Sequence, residues 1–277
     1  MYAMIISTDP ANKVLPATAA VGPNSAWRWG VPLFSIISLF VLLVLGNNVS
    51  LFYSLNHLMS YASDGLWIHL SLLGDGQLVI LFLLPFLGRR PDIVWQFILA
   101  AIIAGLAVYG LKELFSAARP PASLLERSFH LIGPALQNNS FPSGHTTTAF
   151  VLAGLLCMQR VNALIKTTVL IIAVFVGLSR IANGVHWPQD VLGGALIGWA
   201  VAILAVWLAQ LWRAGLNIRF QRVSALLVTV LSIWAVWSLW NSYNQVYPGT
   251  DLMKALLLFI CFSISVPGQL RLFNLKR

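Results

Sequence analysis

Charge is what this 277-residue chain has least of: lysine, arginine, aspartate and glutamate together make up 9% of it, and only 8 residues are acidic. Hydrophobic residues make up 58% and the mean hydropathy is +0.82. That balance excludes a soluble globular domain, and repeated apolar runs of about 20 residues read as transmembrane helices. Cysteine is nearly absent. Cys157 and Cys261 both fall inside apolar runs, where a thiol behaves as a small hydrophobe, so neither a disulfide nor a cysteine metal site is expected. The first 30 residues hold Pro10, Pro16 and Pro23 and lack a basic stretch leading into a short apolar core, so a cleaved signal peptide is not expected. There is no discernible internal repeat and no soluble domain.

What is there reads as an all-α, polytopic transmembrane helical bundle. Eight spans are expected at approximately 31–50, 66–88, 92–115, 144–160, 164–182, 189–212, 222–241 and 252–271. The formal net charge of +9 does not by itself argue for nucleic acid, because the location of the cations matters more than their sum. With the N-terminus in the cytoplasm, Lys13, Arg28, Arg89, Arg90, Arg160, Lys166, Arg213, Arg219, Arg222, Arg271, Lys276 and Arg277 fall on the cytoplasmic side, 12 of the 17 basic residues. Lys112, Arg119, Arg127, Arg180 and Lys254 are left outside. Three of these five sit at the ends of spans that meet on the outer face, next to two histidines and a carboxylate. Ionisable groups at such positions are functional candidates by default.

Three segments carry them. Lys112 and Arg119 stand two helical turns apart, so on a continuing helix they share a face with Ser116 between them, and Pro120 ends or redirects that helix. Pro142-Ser143-Gly144-His145 precedes an apolar run and so sits at a helix N-terminus, where exposed N–H groups and the helix dipole favour an anion. Ser143 can cap that helix or donate its hydroxyl, Gly144 lets the backbone approach closely, and His145 projects from the first turn. In Ser179-Arg180-x5-His186-x3-Asp190, Asp190 lies four residues after His186 and can fix its tautomer, which leaves the other ring nitrogen available as nucleophile or base. A metal reading of the His186 and Asp190 pair lacks a further ligand set, and no metal and no cofactor is implied. Three cations, a helix N-terminus and two histidines make a phosphate site with a nucleophile and an acid.

These residues resemble the type 2 phosphatidic acid phosphatase (PAP2) superfamily of integral-membrane lipid phosphatases, whose signatures KxxxxxxRP, PSGH and SRxxxxxHxxxD all occur here without substitution, over roughly residues 66 to 212. The resemblance implies a metal-independent reaction in which His186 attacks phosphorus, Asp190 orients it, and His145 protonates the leaving group. Lys112, Arg119 and Arg180 would hold the phosphoryl oxygens with Ser143 and the Gly144 N–H. Soluble relatives hold vanadate in a similar pocket, a use the spans argue against.

The substrate implied is a lipid phosphate or pyrophosphate of the phosphatidic acid, phosphatidylglycerol phosphate, undecaprenyl pyrophosphate or lipid A type. A lipid phosphotransferase moving phosphate from undecaprenyl pyrophosphate to another lipid is the alternative, and a transporter is disfavoured by the lack of an inverted repeat. The organisation expected is a cytoplasmic segment over 1–30, a six-helix phosphatase core over 31–212, and two further spans with a short tail over 213–277. A bacterial inner membrane is expected, with cytoplasmic termini and a periplasmic site, because Asn138 and Asn48 are outward-facing glycosylation sequons and a glycan at Asn138 would crowd the site, and because the chain is compact. The long outer segment 116–143 can cover the site. Asp75, within Gly74-Asp75-Gly76 of the second span, reads equally as functional or as a helix-crossing residue. Arg127 and His130 are expected to be solvated, His57 and His69 interfacial. Trp27, Trp29, Trp187, Trp212 and Trp240 are expected to anchor the membrane interface. The sequence leaves oligomeric state open.

Overall fold

The computed structural model describes residues 25–125, 127–241 and 248–273. Lys13, Lys276, Arg277 and the three N-terminal prolines lie outside the described residues. The elements are α1 (Ser25–Leu45), α2 (Asn48–Met59), α3 (Asp64–Leu72), α4 (Gly76–Val79) running into a 3-10 turn (Ile80–Phe86), and α5 (Pro91–Phe115). They continue with α6 (Pro120–Ser123), α7 (Gly144–Cys157), α8 (Ala163–Ala182), α9 (Pro188–Leu211), a 3-10 turn (Arg213–Leu216), α10 (Ile218–Asn241) and α11 (Asp251–Leu272). No strand occurs among the described residues. Among the described residues six helices are long and apolar enough to span a membrane, or seven if the bent pair of α3 and Gly76–Phe86 is one span. The 14-residue α7 is apolar but shorter, about 21 Å at 1.5 Å per residue against a hydrocarbon core of about 30 Å. The chain is therefore an all-α, multi-pass membrane protein.

The second expected span is broken. Its halves, α3 and the segment Gly76–Phe86, meet at 51°, and Gly74, Asp75 and Gly76 make the break. The Asp75 side chain accepts a hydrogen bond from Gln77 N at 2.8 Å, capping the second half. Gly74 is needed because a Cβ there would lie 2.8 Å from the His145 carbonyl oxygen. The break thus packs directly on the start of α7.

The most extensive helix contact is between α7 and α9. Small residues make it close: a Cβ on Gly154 would come within 2.6 Å of the Ala202 Cβ, and one on Gly194 within 2.8 Å of the Ser143 carbonyl oxygen. Helices α5, α8 and α1 pack around this pair. Helices α10 and α11 lie against each other, α4 and the 3-10 turn after it. There Lys254, fully buried, donates to Leu239 O at 3.2 Å and approaches Asp251 at 3.2 Å. An apolar cavity of about 630 Å³ lies beside α1, lined by Trp27, Phe34, Leu178, Val191 and Trp199 among others. It is on α1, α7, α8 and α9, away from the C-terminal pair.

Candidate active site

Four helix termini converge to form the site. Ser143 is the N-cap of α7: its hydroxyl accepts from Thr146 N at 3.4 Å and from the Thr146 hydroxyl at 2.8 Å. Its backbone N–H donates to Asp190 O at 3.0 Å, tying the start of α7 to the first turn of α9. Space is open above Gly144, where a Cβ would meet only a Val108 methyl at 4.0 Å. A ligand could reach the N–H groups there. His145 projects from the first turn and lies within electrostatic reach of Arg180, His186, Arg119 and Lys112. All the residues expected from the three sequence segments therefore meet in one place.

His186 sits in the turn between α8 and α9 and is almost completely buried. Its Nδ1 is 3.3 Å from Asp190 Oδ2 and its Nε2 is 3.1 Å from Arg119 Nη1. A guanidinium only donates, so Nε2 presents a lone pair and Nδ1 carries the proton toward Asp190. Burial first, and then the charges of Arg119, Arg180 and Lys112, hold this imidazole well below the usual histidine value, so the ring is neutral. Asp190 is fixed in turn: Oδ2 accepts from Trp187 N at 2.9 Å and from the Ser140 hydroxyl at 2.5 Å.

The cations are held by carbonyls. Arg119 donates to Asn138 O at 2.7 Å, Asn139 O at 3.3 Å and Val185 O at 3.1 Å, and Lys112 donates to Asn139 O at 3.0 Å. Arg180, in the last turn of α8, donates to the Ser71 hydroxyl of α3. These acceptors are neutral groups, a backbone carbonyl for Lys112 and a side-chain hydroxyl for Arg180. The stretch 138–140 is thus a wall of the site. Among the described residues no three histidine, cysteine, aspartate or glutamate side chains cluster to hold a metal ion.

Two expectations need correction. Lys112 and Arg119 do not share a helical face: α5 stops at Phe115, Ser116 is left-handed at φ 40°, and the chain runs on non-helically to Arg119. The physical reason is the pull of the 138–139 carbonyls, which Arg119 reaches only from an extended backbone (φ −85°, ψ 165°). Pro120 then opens α6 at its first turn, where its missing N–H costs nothing. Trp187 is also not an interface anchor. It is buried, and its indole N–H donates to Ala118 O at 2.9 Å, holding the Ser116–Arg119 stretch against α9.

Comparison with known proteins agrees with this geometry. The PAP2 superfamily profile matches residues 93–215. The chain is 30% identical over 185 residues to the undecaprenyl-diphosphatase of Sulfolobus acidocaldarius, an alignment covering 63% of this chain and 86% of that protein. The chain belongs to the PAP2 superfamily. Among other relatives, the lipid A 1-phosphatase of Porphyromonas gingivalis is 43% identical over 75 residues, 26% of this chain and 17% of that much longer protein. The crystal structure of Aquifex aeolicus LpxE superposes with a TM-score of 0.52 at 33% identity, covering 57% of this chain and 94% of that one.

Around this PAP2 site stand three residues that the sequence reading did not select and a fourth whose role it left open. Ser140 holds Asp190, Ser71 holds Arg180, and Ala118 receives the Trp187 indole. Asp75 is the fourth, with Oδ2 3.8 Å from His145 Nε2. None of these contacts is at helical spacing, so none follows from the local sequence alone. His130 pairs with Asp64 at 2.8 Å and Arg127 is exposed, both between α6 and α7.

Proposed function

We propose that this PAP2 protein hydrolyses a lipid-linked phosphate or pyrophosphate by way of a phosphohistidine, without a metal ion. The observation that carries the reading is the oriented, neutral His186, whose Nε2 lone pair faces Arg119 in a pocket of three cations. A phosphoryl group entering the pocket would take over the hydrogen bonds of Lys112, Arg119 and Arg180, with the Gly144 N–H and Ser143 at the α7 terminus. Nε2 then attacks phosphorus in line with the leaving oxygen. The ring becomes cationic as the N–P bond forms, and the Asp190 carboxylate stabilises that charge. His145 delivers a proton to the leaving oxygen, then takes one from the water that cleaves the N–P bond, which returns His186 to its starting state.

A lipid substrate is supported by the transmembrane setting of the pocket and by the relatives, named for undecaprenyl diphosphate and lipid A. In detergent, the wild-type protein should release inorganic phosphate from phosphatidic acid, phosphatidylglycerol phosphate, undecaprenyl pyrophosphate or lipid A in the presence of a chelator. His186→Ala should lower that turnover by at least 10³-fold. Wild-type turnover in that variant would remove the assigned nucleophile. Label passing to an acceptor lipid with little free phosphate would instead identify a transferase.

The site is proposed to face the periplasm from a bacterial inner membrane, with both termini cytoplasmic. The distribution of cations supports this orientation. A periplasm-dependent reporter should be active when fused to a chain truncated after residue 139 and silent after residue 160. The opposite pattern would invert the orientation.

A further inference from the structure

The His145 pocket contains three cations, Lys112, Arg119 and Arg180, together with His186. A leaving-group acid there must carry a proton in the company of those charges, which calls for an opposite charge close by. Asp190 is engaged with His186, Ser140 and the Trp187 N–H. The carboxylate that faces His145 is Asp75, and the broken second span is what brings it there.

We propose that Asp75 is a positioning residue for His145, giving the leaving-group acid its own carboxylate as Asp190 serves the nucleophile. The two oxygens of Asp75 have separate tasks. Oδ1 accepts from Gln77 N at 2.8 Å and caps α4, while Oδ2 faces His145 Nε2 at 3.8 Å, ion-pair range and longer than a direct hydrogen bond. The Asp75 side chain is only 10% exposed, so little water screens the pair. Gly74 admits the close approach of the break to the His145 backbone, and Ser71, one turn earlier, holds Arg180. The broken span therefore presents three contacts to the site within five residues, from Ser71, Gly74 and Asp75.

In the reaction, the protonated His145 ring gives its proton to the leaving oxygen as the P–O bond breaks, and the ring regains a proton from the attacking water in the second step. A carboxylate at Asp75, facing the ring, favours its protonated form. This assignment rests on the phosphohistidine reading above, and its test is arranged so that each can fail separately.

Asp75→Asn keeps an N-cap oxygen, since asparagine caps as well as aspartate, and replaces the oxygen that faces His145 by a neutral amide. A purely structural cap would leave the kinetics of this variant unchanged. First-turnover release of the leaving group is measured for dodecyl phosphate, a poor leaving group that needs a proton, and for 4-dodecylphenyl phosphate, a better one with the same chain. Asp75→Asn should slow release from the alkyl ester about tenfold and from the aryl ester less than about twofold. In a His145→Ala background it should add no further loss, because the effect passes through that ring. Equal slowing of both esters, wild-type rates on both, or a full additional loss without His145 would each overturn the proposal. Asp75→Ser, which also keeps the cap, should give the same split, and thermal unfolding of both variants reports whether they fold. A dead His186→Ala beside a kinetically silent Asp75→Asn overturns this assignment alone. An active His186→Ala overturns the phosphatase mechanism.

Discussion

The site contains two histidine and carboxylate pairs of opposite construction. His186 and Asp190 are four residues apart, lie across the N-terminus of α9, and are 2% and 0% exposed in their side chains. His145 and Asp75 are 70 residues apart on α7 and the broken second span, and are 24% and 10% exposed. The first pair is hydrogen-bonded and braced by Ser140 and the Trp187 N–H, which suits a ring that must hold one tautomer and one direction of attack. In the second, the carboxylate oxygen and ring nitrogen stand 3.8 Å apart in a more open position, which in the proposed mechanism suits a ring that must meet both a departing alcohol and an arriving water. Rigidity goes with the nucleophile and access with the proton carrier.

Breaking the rigid pair should have the larger effect. Asp190→Asn leaves the ring in place but removes the charge that fixes the Nδ1 proton and stabilises the cationic phosphohistidine, so kcat should fall on the order of 10²-fold. Rapid quench should show the loss in formation of the phosphoenzyme. A loss confined to its hydrolysis would separate Asp190 from the nucleophile. The wild-type pH profile tests the same ring. Attack needs a neutral His186, and burial with three nearby cations holds its folded-state value well below that of a free imidazole. As pH falls, the ring therefore stays neutral through the ordinary range near 6.5, and kcat/KM should decline only below it. An acid limb at or above the ordinary imidazole value would mean that the pocket does not exclude the proton as its burial requires.

The same contrast explains what could be read from the chain. The His186 and Asp190 relation follows from helical spacing, and the Ser143 cap from the run that follows it, because both are local. The all-α membrane fold follows from apolar length alone. Lys112 and Arg119 share a face only if the helix continues between them, and nothing local signals the left-handed Ser116 that stops it. That conformation is set by carbonyls some twenty residues later in the chain. The second span read as continuous since hydropathy averages across Gly74-Asp75-Gly76, although a capping aspartate between two glycines is in hindsight a helix-start signal. Trp187 illustrates the limit of a compositional rule, for an indole near a span end is as able to donate inward, to Ala118 O, as to lie at the interface.

The smallest effect expected is at the outer brace of the rigid pair. Ser140 is fully buried, and its hydroxyl donates to Asp190 Oδ2 at 2.5 Å, on the same oxygen that faces His186. Ser140→Ala removes one of three donors to that oxygen and leaves the Trp187 N–H and the His186 Nδ1 proton. One hydrogen bond is worth about 1 kcal/mol net, about fivefold in rate if all of it is expressed in the transition state. The loss should fall on kcat with KM unchanged, because Ser140 acts on the orientation of the nucleophile and makes no contact with the cations that grip the phosphate. Threonine retains the hydroxyl, so Ser140→Thr should recover part of the rate if the pocket accepts the added methyl. A rise in KM at constant kcat would instead place Ser140 with the 138–139 carbonyls that position Lys112 and Arg119, and would shift the rigidity of the site from the nucleophile to the phosphate clamp.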